Sequence, residues 1–137
     1  MGSQKQLNDY LREVKDKPFR WGEHDCFTFS NAAFRAYHGF GYGDDWIGRY
    51  MRDGEPMLPS RLRVEFGAVD FDSAIEQKMK PIDCVPPRGA LVATSKAERW
   101  YIGYALGICV GIKVAFLSQR GVIYFPLEDV TKAWVPR

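Results

Sequence analysis

The side chains that could do chemistry sit close together early in the chain. Cys26 closes the run Trp21-Gly22-Glu23-His24-Asp25-Cys26, and an almost wholly apolar stretch follows it as far as Gly39. Asp25 is a good helix N-cap, because its carboxylate can accept the orphan N–H groups of a first turn. Cys26 then falls at the first helical position. N–H groups and the macrodipole at that end favour an anion, so a thiol there is expected to be more acidic than a free one. Paired with a histidine, it would be the nucleophile of a cysteine hydrolase. The competing reading is a small buried residue in a tight helix start, since free cysteine is among the most buried residue types.

The base is harder to find. The chain has two histidines, His24 and His38. His38 lies twelve residues beyond Cys26 on the same expected helix, about 18 Å along its axis and out of reach. His24 is nearer, on the turn that leads into the helix, but no third group is evident to orient its ring. It reads as a turn-stabilising residue, with an improvised base as the alternative. A metal set of His24, Cys26, Cys84 and Cys109 has an unusual spacing for zinc and no Cys-x-x-Cys. No phosphate-cradling glycine motif and no Gly-x-Ser-x-Gly elbow occurs, so the sequence calls for no cofactor.

The elements that must position these residues follow from the hydrophobic pattern. Ser3 and Gln6 form a capping-box pattern, and Leu7, Tyr10, Leu11 and Val14 recur at helical spacing. Pro18 blocks continuation of that first helix, and Gly22 permits the turn before Asp25. The central helix is apolar nearly all round, which predicts an interior position. Phe40 to Ser60 reads as a loop carrying a short helix from about Asp45 to Met51. Trp46 and Tyr50 in this loop, together with Trp21, are candidates to line a groove; pinning the loop to the core is the plainer role. Two short helices are expected over 60–66 and 72–79, broken at Gly67 and capped at Asp72 or Ser73. Pro81 ends the second, and a proline-bearing connection runs to Arg88, with Cys84 structural or incidental. The last third changes period. Runs at 90–93, 104–110, 113–117, 122–125 and 130–135 predict an antiparallel meander. The result is one α+β domain over 1–137, helical to about residue 80 and sheet from about 88.

Composition excludes several classes. The chain of 137 residues is long enough for one real core, and 46% hydrophobic content argues for folding. A net charge of +2 from 19 basic and 17 acidic residues is too balanced to argue for nucleic acid. The longest uncharged run, Trp100 to Ile112, is too short to span a bilayer. The three cysteines show no paired spacing. This leads to the expectation of free thiols in a protein made in a reducing cytoplasm.

The run ending in Cys26, and the aromatic and small-residue helix after it, resemble the opening of the NlpC-type cell-wall peptidase superfamily, which has a papain-like fold. More closely, the chain is similar to a branch encoded in phage and prophage tail gene clusters. That branch pairs a Trp-Gly-x-His-Asp-Cys signature with a late Leu-Gly-Ile-Cys-x-Gly strand and an Ala-Trp near the C-terminus. Here these are Leu106-Gly107-Ile108-Cys109-Val110-Gly111 and Ala133-Trp134. In active members the strand carries His-Val-Gly-Ile, and its histidine is the general base. Aligned on Gly107-Ile108, that position is Ala105.

The resemblance therefore implies a papain-like fold that has lost its base. The expected function is a structural component of a bacteriophage tail, at the tip or hub. Its partners would be hub and distal tail proteins, with peptidoglycan a further candidate, and its location the virion. Two alternatives stand beside it. One is an active peptidoglycan peptidase assisting DNA entry, with Cys26 as nucleophile and His24 as base. The other is a small module in which Trp46 and Tyr50 hold a glycan or peptide.

Overall fold

The computed structural model describes residues 2–96 and 104–137; the first residues of the uncharged run that begins at Trp100 lie outside them. Ser3 accepts the Gln6 N–H at 3.1 Å and starts helix α1 (Gln4–Glu13), which buries Leu7 and Leu11. Helix α1 lies along α2 (Cys26–His38). The Ser3 N–H donates to the Ala36 carbonyl at 3.0 Å, and the Tyr10 and Phe29 rings pack at 6.1 Å. Helix α2 ends at Gly39, whose φ of 89° only glycine adopts readily, and whose N–H reaches back to the Arg35 carbonyl at 2.7 Å. The interior position expected for the whole helix holds from Cys26 to Phe34 except at Thr28 and Ala32, which are half-buried; Arg35 is exposed and the last turn is half-buried.

The segment after α2 departs from expectation. The helix expected from Asp45 to Met51 is a single 3-10 turn, Asp44–Trp46. The chain then forms a two-stranded ribbon, β1 (Met51–Arg52) and β2 (Glu55–Pro56). Asp53 and Gly54 join the strands with φ of 53° and 81°, as a two-residue turn that matches the twist of an antiparallel pair requires. Helices α3 (Pro59–Phe66) and α4 (Phe71–Glu76) follow. The cap of α4 is Asp70 rather than Asp72 or Ser73, and it accepts the Ser73 N–H at 2.7 Å. Asp72 instead receives the Tyr104 hydroxyl and the Lys132 ammonium, tying α4 to the sheet.

The sheet has six antiparallel strands. They are β3 (Met79–Ile82), β4 (Leu91–Thr94), β5 (Ala105–Cys109), β6 (Lys113–Ser118), β7 (Gly121–Pro126) and β8 (Lys132–Pro136). The meander covers β4 to β7. Strand β8 does not extend it but crosses back to pair with β4, placing Trp134 opposite Leu91. Strand β3 was expected to be helix end and connection. It forms the outer edge against β8, where Pro81 lacks only an N–H that an edge can spare. Helix α2 packs on β5 and β6. Strand alternation divides the core: Leu106 and Ile108 belong with α2, whereas Ala105 and Cys109 join Val92, Val114 and Phe116 on the far side. The α+β class, with helices first and an antiparallel sheet second, is as the sequence predicts.

Candidate functional site

The turn before α2 is built by its backbone. Arg20 and His24 exchange hydrogen bonds, N–H to carbonyl at 2.8 Å in both directions, and Gly22 at the tip takes φ 80°. This folds the Gly22 N–H onto the Asp25 carboxylate at 2.9 Å. The other Asp25 oxygen accepts the Thr28 N–H at 2.8 Å, while the Thr28 hydroxyl takes the Asp25 N–H at 2.8 Å, completing a reciprocal capping box. The Tyr50 hydroxyl, arriving from the loop that follows α2, donates to the carboxylate at 2.5 Å. Asp25 is thus wholly buried and held by donors from both flanks of the helix start. Tyr50 is buried as well; desolvation and the adjoining carboxylate both push its phenol up.

Cys26 occupies the first helical position, as its sequence context requires, but it is not more acidic there. Burial pushes its thiol up to about 12, Asp25 adds to the rise, and backbone hydrogen bonds at Leu106, Cys26 and Phe27 offset only part of it. The acidity expected from the helix N-terminus is overturned because Cys26 is buried, only 3% exposed. Desolvation outweighs the few N–H groups that would favour a thiolate.

Among the described residues, no histidine lies on the sheet. Ala105, the position aligned with the histidine of active peptidases, lies on the far side of β5; Leu106 is the residue whose backbone meets the sulfur. His24 is buried, its ring standing edge-on to Phe29 at 6.2 Å, and its Nε2 makes no hydrogen bond. Burial and the Lys17 charge lower its pKa, with Asp25 opposing. His38 is clamped at the far end of α2, Nε2–H donating to the Gly89 carbonyl at 2.8 Å and the ring 4.1 Å from Phe34. Cys109 is buried and Cys84 exposed, both free thiols. Among the described residues, no three His, Cys, Asp or Glu side chains gather as a metal ion would need. No described helix is long and apolar enough to cross a membrane.

A family model matches residues 2–135 of the chain. The chain belongs to the DUF6950 family. The family is described as a domain of unknown function. No curated protein and no solved structure matches the chain.

The DUF6950 domain has a second region of interest, assembled from residues with no motif. A cavity of about 160 Å³ opens between α2, the 3-10 turn, α3 and α4, floored by Phe27 and Tyr50 and walled by Trp46, Leu62, Phe66 and Phe71. Of the sequence candidates, Trp46 and Tyr50 line it. Trp21 is not among its lining residues but packs edge-on against Phe19 at 4.9 Å. Trp46 is fixed by Phe66 at 5.4 Å and by the Lys78 ammonium, which lies 4.9 Å from its ring and pairs with Asp45 at 2.5 Å. Sequence reading missed Phe27, Phe66, Phe71 and Arg63 as lining residues. The available signal was the four-residue spacing of Leu62 and Phe66, which marks a helix face but not what it faces.

Proposed function

We propose that this DUF6950 domain is a structural component of a bacteriophage tail, in the tip or hub region, built on a papain-like fold that does no chemistry at its cysteine. The non-catalytic half of this reading is carried by one observation: the Cys26 thiol is sealed in the core, its pKa is raised to about 12, and no described imidazole bonds to it. General-base assistance contributes about a hundred- to ten-thousand-fold to such reactions, and a thiol held in its neutral form forgoes the nucleophile as well. The tail setting is supported by the Trp-Gly-x-His-Asp-Cys run and the late Leu-Gly-Ile-Cys-x-Gly strand. Hub and distal tail proteins are the partners that this setting supplies.

Two measurements test it. Mass spectrometry of purified virions is expected to detect the protein in the tail fraction, and failure to find it there removes the tail assignment. Purified protein incubated with peptidoglycan is expected to release no peptides. Release that disappears in Cys26→Ala would restore the hydrolase with His24 as base.

A second reading, a binding module, is favoured by the aromatic cavity. The two are compatible, since a scaffold must grip its neighbours.

A further inference from the structure

We propose that the cavity between α3 and α4 docks an acidic segment of a partner protein, which inserts one large apolar side chain and sets a neighbouring carboxylate on Arg63. The inference rests on the scaffold reading above.

Size comes first. A volume of about 160 Å³ is close to that of an engineered apolar cavity that takes up benzene, so it suits one aromatic or branched side chain. The walls suit a ring. Trp46 already meets Phe66 at 5.4 Å and Phe71 at 6.1 Å, each edge-on, and an inserted ring would find the same geometry.

The rim argues for a protein segment. Helix α3 has no fully buried residue, although Leu62 and Phe66 line the cavity. At the mouth Val69 is 73% exposed, and Leu58, next to the lining residue Pro59, is 63% exposed. This apolar surface continues past the hole, where a small ligand seated inside would leave it wet.

Charge gives the sign of the partner. Arg63 lines the mouth; its carbonyl accepts the Gly67 and Ala68 N–H groups, but no hydrogen bond or ion pair to another described residue engages its guanidinium. The nearby Arg49 is by contrast spent on Glu65 at 3.1 Å. Asp70 also lines the mouth, but its carboxylate is engaged by the Ser73 N–H at 2.7 Å as the cap of α4. Asp70 keeps its negative charge in that role, so the group at the mouth still without a partner is the Arg63 guanidinium, whose planar fork fits a carboxylate.

The test is a titration of ¹⁵N-labelled protein with the peptide acetyl-Glu-Glu-Phe-Glu-Glu-amide, followed by NMR. Saturable shifts are expected at Ala68, Val69, Phe71 and the Trp46 indole. Ala68→Phe, which fills the cavity, should abolish them. The exposed Arg63→Glu, which leaves the fold alone, should weaken binding about five-fold or more and favour the matching Lys-flanked peptide instead. Absence of shifts at these residues, or no effect of the Arg63 charge reversal, overturns the proposal. Equally tight binding of 4-phenylbutyrate would replace the protein segment with a small aryl acid. Peptidoglycan cleavage would sink the scaffold reading without moving any of these shifts, so the two failures are distinguishable.

Discussion

The junction at Asp25–Cys26 and the cavity beside α3 are neighbours that share Phe27 and Tyr50, yet they are built on opposite terms. At the junction a carboxylate and a thiol suggest chemistry, and both are committed to structure. The carboxylate is saturated with donors, and the thiol is desolvated against β5. Around the cavity no residue type suggests chemistry, but apolar surface and a guanidinium are left unspent. A reactive-looking motif can thus persist as a folding device, because a cap, a small thiol and a glycine turn are what this helix start needs mechanically. The surface free to meet other molecules is elsewhere.

Thiol reactivity gives the largest contrast between the two regions. Exposed Cys84 should be open to alkylation by iodoacetamide, whereas Cys26 should react only through opening of the fold. With ordinary stabilities that means at least about a thousand-fold slower, read by peptide mass spectrometry over time; comparable rates would mean the junction is open. Next is Asp25→Ala, which removes the cap and strands the Gly22 and Thr28 N–H groups and the Tyr50 hydroxyl. A loss of about 3–5 kcal/mol is expected in urea denaturation. Tyr50→Phe takes away one donor and keeps the ring, so about 1–3 kcal/mol should go while the cavity survives.

His24 supplies a smaller, pH-dependent effect. Its pKa is lowered in the folded state, so the unfolded chain binds the proton more readily. Stability should therefore be full above its unfolded pKa of about 6.5 and decline as pH falls below that value. Thermal melts from pH 8 to pH 5 should show the decline, and His24→Gln should flatten that part of the curve. At the small end, Arg63→Ala on the cavity mouth should change stability by less than about 0.5 kcal/mol. A loss as large as that of Asp25→Ala would erase the distinction between the two regions.

What the sequence disclosed is what local hydrogen bonding decides. Asp25 caps, Cys26 leads, and Gly39 stops α2 because each needs only neighbours within a turn. The meander strands were legible for a similar reason, since their alternation and turn residues lie within a few positions of one another. Strand β3 was not, because Pro81 ordinarily interrupts a strand and is tolerated here only by the edge position that β8 creates from far along the chain. The crossing of β8 to β4 is set by which edge remains open, and no local signal carries that. Asp53-Gly54 did carry a hairpin signal that the surrounding Gly- and Asp-rich loop concealed. The cavity draws on Phe27, Trp46, Leu62, Phe66 and Phe71, which tertiary packing alone brings together.

Tyr50 has its ring in the cavity and its hydroxyl on the Asp25 carboxylate. It is in effect a lever with one arm in each region. A guest that presses on the ring loads the first turn of the central helix, so hydrogen–deuterium exchange at the Thr28 amide becomes a remote gauge of whether the neighbouring hole is filled.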